Sequence, residues 1–435
     1  MAREMKDSGI EWIGEIPKHW NKTTIKNGCD LLSSGTTPAS GHEEYYLNGT
    51  INWIQSGDLY NNPIISSVSK RITQKAFDNT PSLKVYIAPF IVVAMYGASV
   101  GNVSISEIDA CCNQACCCIK TNEKLSLKFL MYWLVSCKKD FLVKASGGGQ
   151  PNISQQIIQN EVLLIPSKEE QQRIASFLDS KCAEIDKAVE ATKASIEEYR
   201  KLRQAIITEA VTKGLDPDVE MKDSGIEWIG KIPISWTINT LGRLSSSMRN
   251  GYVGPTKEIL RESGVRYIQS LHVKDGQILY SDDFYVSEEW GNNHPKIHTN
   301  DILIVQTGDI GQVGLVTNDY NECNCHALII CTPKQTIISS AYLCYYFRSS
   351  FGLRQLKQFE TGATLKHLNS GDIKFSKVIL PSLDEQIEIC SYLDSKCSEI
   401  DSLIKSKEKL IEELTAYRKS LIFEYVTGKK EVPAV

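Results

Sequence analysis

An excess of basic charge is what this sequence most plainly lacks. Lys and Arg total 48 against 52 Asp and Glu, a formal net charge of −4. Holding nucleic acid by bulk charge is thereby excluded, and any such binding must rest on local basic patches, helped by a partner. Long hydrophobic runs are missing as well. No stretch approaches the roughly 18 apolar residues that span a bilayer, and the opening MAREMKDSG has no signal-peptide core. Hydrophobic content of 42% beside 23% charged residues then describes a soluble globular chain, expected in the cytoplasm.

Catalytic motifs are equally scarce. No GxxxxGK[ST] phosphate loop is present, because Gly97-Ala-Ser-Val-Gly101 lacks the lysine and opens no helix. There is no GxSxG elbow, no HExxH zinc helix, and no Asn-Pro-Pro-aromatic tetrapeptide of the kind by which amino-methyltransferases hold a target base. Pro217-Asp218 with Glu220-Met-Lys222 has the letters of a nuclease PD…ExK set, but its carboxylates are too close together and fall in a linker. The histidines, His19, His42, His272, His294, His298, His326 and His367, pair with no nucleophile. Fourteen cysteines without a secretion signal argue against disulfides. Cys111, Cys112, Cys116, Cys117 and Cys118 would alternate across a strand, and Cys323, Cys325 and His326 have no second ligand pair. Buried thiols acting as small hydrophobes are expected, with no metal and no catalysis in this chain.

What the sequence has is repetition. Ile165–Asp186 (IPSKEEQQRIASFLDSKCAEID) returns as Leu380–Asp401 (LPSLDEQIEICSYLDSKCSEID), and Met5–Trp20 (MKDSGIEWIGEIPKHW) returns as Met221–Trp236. The chain is two units of about 215 residues, each a globular block followed by a helix. In the first helix Leu178, Cys182, Ile185, Val189, Thr192, Ile196, Tyr199, Arg203 and Ile206 recur at alternating spacings of four and three. In the second, Leu393, Cys397, Ile400, Ile404, Lys407, Ile411, Leu414, Arg418 and Leu421 do the same. That is a heptad seam, narrower than the stripe of a globular helix. Neither segment has an internal Gly or Pro after Pro166 or Pro381, as a long helix requires. At 1.5 Å per residue, about 45 residues reach roughly 65 Å. Burying the two seams against each other predicts one intramolecular coiled coil. Polar layers interrupt it at Thr192 and Lys407 and at Arg203 and Arg418; these are either solvent-facing positions or residues that specify register.

The globular blocks share a skeleton beneath divergent surfaces. Asn52-Trp-Ile-Gln-Ser56 parallels Arg266-Tyr-Ile-Gln-Ser270, and Ile91–Val103 parallels Leu303–Val313 as strand, Gly-rich turn, strand. Amphipathic helices are expected at Lys128–Ser136 and Ser340–Phe347. Gly-containing loops follow at Ser146–Ser154 and Thr361–Asn369. The expected boundaries are 1–165 and 215–380 for the blocks, 166–214 and 381–428 for the helices, and 429–435 for a polar tail. KGLDPDVE (Lys213–Glu220) reads as helix stop and linker.

These motifs together resemble the specificity (S) subunit of Type I restriction–modification systems, over essentially the whole chain. The carrying residues are Ser8–Trp20 and Ser224–Trp236 (SGIEWIGxIPxxW) and the helix starts Ile165–Gln171 and Leu380–Gln386, with Glu170, Gln171, Glu385 and Gln386. SSGTTP (Ser33–Pro38) is similar to the family's first target-recognition loop, and NGYVGPTK (Asn250–Lys257) to the corresponding loop of another recognition-domain type. The resemblance implies an α+β chain in which two mixed α/β target-recognition domains are joined by two long helices, an antiparallel intramolecular coiled coil with a pseudo-twofold repeat. It implies that each domain reads half of an asymmetric gapped site in double-stranded DNA. It also implies that the helices set the gap and dock two methyltransferase (M) subunits, and that restriction/translocase (R) subunits join them. S-adenosylmethionine, ATP and Mg would belong to those partners, with no cofactor in this chain and no membrane.

In the major groove Arg or Lys best reads guanine, and Asn or Gln best reads adenine. Candidate DNA contacts are therefore Thr36, Thr37, Lys70, Arg71, Gln150 and Asn152 in the first block, and Arg249, Tyr252, Lys257, Gln269, Lys366 and His367 in the second. Two other classes compete: a fused restriction–methylation enzyme, which would methylate DNA unaided, and a coiled-coil scaffold, which would select no half-site. An RNA-binding role would call for exposed aromatic pairs flanking the loops. Replacing Gln150 and Asn152 together by Ala should alter the half-site preference of the assembled methyltransferase, by about 1–3 kcal/mol per base position read. A sequence-selection binding assay with an unchanged preference removes that loop.

Overall fold

A computed structural model describes residues 3–146, 150–362 and 366–433. Gly147, Gly148 and Gly149 of the first Gly-containing loop, Ala363, Thr364 and Leu365 of the second, and the last two residues of the tail lie outside the described residues. The chain divides into two compact units: Met1–Ala191 with Leu410–Val435, and Thr192–Lys409. The second is one continuous stretch and the first is two, because each long helix contributes a part to both.

In the first unit a five-stranded sheet runs in the order Cys29–Ser34, Cys116–Thr121, Phe90–Ala94, Val103–Ser106, Ile64–Ile65. Its central strand, FIVVA, is buried along its whole length, because both faces of the sheet are covered. Ile91, Val93, Cys117 and Ile119 turn one way, toward Phe129, Leu130, Trp133 and the helix residues Leu178, Cys182 and Ile185. Val92, Ala94, Cys116 and Cys118 turn the other way, toward Ile54, Leu59 and Tyr86. The period of two divides the consecutive cysteines between two cores. Burial pushes the neighbouring Cys111 thiol up to about 12, and all fourteen cysteines are unpaired. They pack as small apolar side chains.

The second unit repeats the plan with four strands, in the order Ser245–Asn250, Leu328–Pro333, Ile302–Val305, Val313–Leu315. Ile302, Ile304, Ile329 and Cys331 face Tyr342, Tyr346, Phe347 and Leu393. Leu303, Val305, Leu328 and Ile330 face Ile268, Val273 and Cys325. The amphipathic helices form at Leu127–Ser136 and Ser340–Arg348. No helix among the described residues is long and apolar enough to cross a membrane.

The long helices span Lys168–Lys213 and Leu383–Val426. Each begins on a serine cap: the Glu170 amide donates to Ser167 Oγ at 3.2 Å, and the Glu385 amide donates to Ser382 Oγ at 3.3 Å. In the second the Ser382 amide returns a bond to the Glu385 carboxylate at 3.0 Å, completing a capping box. Each ends on a left-handed glycine, Gly214 at φ +80° and Gly428 at φ +72°. A Cβ on Gly428 would approach Pro17 to 2.4 Å, so this stop also needs the closeness that only glycine permits.

Seam positions Leu178, Ile185, Ile196, Leu393, Ile400 and Ile404 are buried, while Val189 and Ile411 are half-buried. Within each unit the two helices run antiparallel. In the first unit Phe177 packs on Tyr425 with ring centroids 4.6 Å apart, and Arg418 pairs with Asp186 at 3.0 Å. In the second, Arg203 pairs with Asp401 at 2.6 Å and Arg200 with Glu408 at 3.3 Å. Arg203 and Arg418 thus occupy equivalent places and meet equivalent aspartates. Lys407 lies over the Tyr199 ring at 5.5 Å. Toward its ends the apolar stripe is wider than a heptad seam: Ile174, Ala175, Ile207, Ala210, Val211, Ile422, Tyr425 and Val426 are also buried. There the helices belong to the block cores as well as to each other, and the tail residue Val432 packs on the first core too.

The Gln of each PSxxEQ start clamps its block. Gln386 donates to the Pro381 and Ile337 carbonyls at 3.1 and 3.2 Å and accepts the Ser339 amide at 2.8 Å. Gln171 does the same with Pro166, Lys124 and Ser126. Both side chains are fully buried. Gln386→Ala strands three polar groups and should destabilise the chain by about 3 kcal/mol, measured by denaturant melting against the parent protein.

Candidate nucleic-acid interface

Each block carries a second, smaller sheet beside the main one, and both are organised around a short parallel pairing. In the first unit Cys111–Cys112 runs parallel to Ile51–Ile54, with Cys111 opposite Trp53 and Cys112 opposite Ile54. In the second Asn324–Cys325 runs parallel to Val265–Ile268, with Asn324 opposite Tyr267 and Cys325 opposite Ile268. The loop after the first main-sheet strand crosses this pair closely. A Cβ on Gly35 would lie 2.2 Å from the Cys112 carbonyl oxygen, and one on Gly251 would lie 2.6 Å from that of Cys325. The next amide then bonds to that carbonyl: Thr36 to Cys112 at 2.8 Å, Tyr252 to Cys325 at 2.9 Å. Thr36 and Tyr252 therefore occupy one place on two copies of a single scaffold.

In the first unit this region collects four of the sequence candidates, Thr36, Thr37, Lys70 and Arg71. The Trp53 indole N–H donates to the Thr36 carbonyl at 3.2 Å, and the Trp53 amide donates to the Lys70 carbonyl at 3.2 Å. Arg71 Nε donates to Asn52 Oδ1 at 3.2 Å. Lys70 and Arg71 are exposed and line an open cleft of about 510 Å³ with Tyr46, Asn48, Gly49, Val68 and Ser69. Thr36 and Thr37 are half-buried, and Thr36 Oγ1 donates to the Ser82 carbonyl at 3.3 Å. Two adjacent cations beside an open, polar-walled cleft form a local basic patch in a chain with no net positive charge.

Gln150 and Asn152 sit on a short hairpin. Asn152 bridges both Ser146 and Tyr96, and the Gly97 amide donates to the Pro151 carbonyl at 2.9 Å. The second unit builds the same hairpin: His367 bridges Thr361 and Thr307. Asn152 and His367 are thus equivalent, both exposed. Neighbouring Lys366 pairs with Glu360 at 3.1 Å.

The remaining candidates of the second unit are held in different ways. Arg249 donates to Ser247 Oγ at 3.1 Å and to the Lys296 carbonyl at 2.7 Å, and lies 3.6 Å from the buried Asp301 carboxylate. Tyr252 is edge-on to Trp290 and His294, whose rings stack 3.6 Å apart. Lys257 is exposed on the loop beyond. Gln269 opens a 3-10 turn, its carbonyl accepting the His272 amide at 3.0 Å. Its own amide donates to His272 Nδ1 at 2.9 Å, while Nε2 meets Asp283 at 3.0 Å. Burial holds the His272 imidazole below its ordinary range, against the pull of Asp283. Gln55 and Asp58 make the equivalent cap in the first unit. A cap was not legible from the Gln-Ser dipeptide alone, because its partner differs between copies.

Sequence reasoning nominated neither Trp53 nor Tyr267, nor the residues that follow Cys112 and Cys325. The signal for Trp53 and Tyr267 was the NWIQS/RYIQS parallel, in which only the first two residues change; Asn113 and His326 carried none.

The motifs at the two ends of each block converge on one contact. The Trp20 indole N–H donates to Glu170 at 3.0 Å, joined by His19 at 3.1 Å and by Arg3. The Trp236 indole N–H donates to Glu385 at 2.9 Å. Burial would raise the Glu385 carboxyl, but bonds from Trp236 and Ser382 outweigh it and hold it below the usual carboxylate range.

A family model described as Type I restriction modification DNA specificity domain matches residues 17–198 and 233–416. The chain is 27% identical over 353 residues to the Type I restriction enzyme EcoBI specificity subunit of Escherichia coli, covering 78% of this chain and 73% of that protein. It is 25% identical over 430 residues to the MjaIX specificity subunit of Methanocaldococcus jannaschii, covering 97% and 95%. Among solved structures, a chain from work on complex assembly and conformational transition of the type I R-M system superposes with a TM-score of 0.72 at 17% identity, over 95% of this chain and 99% of that one. The HsdS subunit of Thermoanaerobacter tengcongensis superposes at 0.51 with 15% identity, over 95% and 98%. At those identities the superpositions speak to the fold.

The exposed pair Lys70 and Arg71 supplies a test of the basic patch. Lys70→Ala with Arg71→Ala should weaken DNA binding by the assembled complex for all sequences alike, and should lower the slope of log affinity against log salt by about 1–2. Salt titrations of binding, with melting temperature unchanged, are the measurement.

Proposed function

The chain belongs to the Type I restriction modification DNA specificity domain family, as a specificity subunit with two target-recognition domains, and on that footing we propose how it works. Each unit reads one half of an asymmetric, gapped site in double-stranded DNA. The chain forms no bonds itself. Two methyltransferase subunits dock on it, bringing S-adenosylmethionine, and restriction/translocase subunits bring ATP and Mg. The complex works on double-stranded DNA in the cytoplasm.

One observation carries this reading. The two units hold the same loop, parallel strand pair and hairpin with matching backbone bonds, at Thr36 and Tyr252 and again at Asn152 and His367, yet they present different side chains there. A scaffold repeated with altered surface chemistry suits two different targets of one kind. Base edges differ in donors, acceptors and methyl groups while the duplex backbone stays constant, so one docking geometry with exchanged side chains selects two sequences. The modest basic patches fit a complex in which partner subunits close around the DNA and supply further phosphate contacts.

The candidate DNA contacts in this scheme are Thr36, Thr37, Lys70, Arg71, Gln150 and Asn152 for one half-site, with Lys70 and Arg71 toward its phosphates. For the other they are Tyr252, Lys257, Lys366 and His367, with Arg249 and Gln269 engaged in internal bonds. Methylome sequencing of cells that express this chain with a cognate methyltransferase should show adenine methylation at one bipartite motif, two short specific halves around a fixed run of unspecified bases. Methylation by the purified chain alone, or a motif with only one specific half, would refute the proposal.

A further inference from the structure

The strand that pairs in parallel with the small sheet leaves it at the same point in both units. After Cys112 the Asn113 amide donates to the Ile54 carbonyl at 2.9 Å; after Cys325 the His326 amide donates to the Ile268 carbonyl at 2.8 Å. Both residues are half-buried, both follow a fully buried cysteine, and both sit beside the loop residue at Thr36 or Tyr252 that bonds to that cysteine's carbonyl. Backbone identity with side-chain difference is the mark of the target-reading surface argued above. These two positions carry it one step further, because their side chains have hydrogen-bonding capacity that the protein does not use.

In the first unit the aromatic neighbour is Trp53, whose indole N–H is taken by the Thr36 carbonyl. A tryptophan offers no acceptor and no second donor, so it does nothing for Asn113. The Asn113 Oδ1 is buried and has no partner among the described residues, which costs free energy unless something else supplies a donor. In the second unit the neighbour is Tyr267, whose hydroxyl lies 3.2 Å from His326 Nδ1. Burial pushes the phenol up and the imidazole down, away from its charged form. In the tautomer in which the hydroxyl donates to Nδ1, the proton of the ring resides on Nε2. No residue among those described receives it. The His326 ring is held between Tyr267 and Tyr252, with centroids 6.0 and 6.4 Å away, so its orientation is set in advance.

We propose that Asn113 and His326 are base-reading residues at one equivalent position, the first offering its amide to adenine and the second offering its Nε2 proton to an acceptor on a base edge. An amide can engage adenine N6 and N7 together, and an N–H donor can engage guanine N7 or O6 or thymine O4. Tyr267 is a positioning residue for His326, acting through the hydrogen bond to Nδ1. The proposal rests on the two-half-site reading given above, and its test separates the two.

The experiment is methylome sequencing of cells expressing the parent chain, Asn113→Ala, His326→Ala or His326→Asn with the same methyltransferase, alongside melting of each purified chain. Each Ala variant should relax preference by about tenfold or more at one base position, in different halves of the motif, with melting temperature unchanged. His326→Asn, which places the first unit's residue in the second, should shift the preferred base at that same position toward adenine. Undiminished preference at every position, both variants affecting the same half, or loss of methylation together with a lowered melting temperature would each overturn the inference while the bipartite motif of the parent stands. If the parent itself yields no bipartite motif, the two-half-site reading is what fails.

Discussion

A buried indole N–H must find an acceptor, and in this chain it finds the same one twice. Trp20 meets Glu170 and Trp236 meets Glu385, each carboxylate standing in the first turn of a long helix, where the helix dipole favours negative charge. The contact joins the start of a block to the start of the helix that leaves it, across some 150 residues of chain. The adjacent glutamine adds two bonds to the start of the block's own amphipathic helix and a third to the Pro166 carbonyl ahead of the long helix. A helix started this way departs from its block in a defined direction, and the strands, loops and hairpins beyond depend on that anchoring. The repeated motifs at the two ends of each block thus meet in one set of bonds.

Above that shared frame the two copies part company in a patterned way. Where a backbone bond must be made, the copies agree: Gly35 with Gly251, Thr36 N with Tyr252 N, Asn152 with His367. Where only a side chain projects, they differ. The buried polar devices differ too, since Asp58 caps one 3-10 turn and His272 the other. The copies conserve geometry and exchange chemistry, which is what reading two sequences with one fold demands.

The helices show the same economy. Arg203 and Arg418, which break the apolar seam in both copies, meet Asp401 and Asp186 at equivalent levels. Away from the middle of an antiparallel pair an arginine does not meet its own counterpart, and each of these instead reaches a carboxylate of the other helix. These partly exposed pairs contribute little energy, but a register shift would break both at once.

Much of this was determined by the amino-acid order alone. The half-chain repeat, the heptads, the proline-serine starts at Pro166 and Pro381 and the glycine stops at Gly214 and Gly428 depend on local periodicity and on backbone freedom, both of which are written residue by residue. The alternation of Cys116, Cys117 and Cys118 between two cores followed from the period of a strand. What only the tertiary structure decided are the pairings between residues far apart in sequence. Gln269 was legible as an amide but not as a cap, and Arg249 as a cation but not as one engaged by Ser247, Lys296 and Asp301. Asn113 and His326 were hidden among cysteines, because their environment is set by a loop some 75 residues away that only the fold brings to them. Local chemistry is carried by the chain, whereas the neighbours that satisfy or orphan a polar group exist only once the strands have packed.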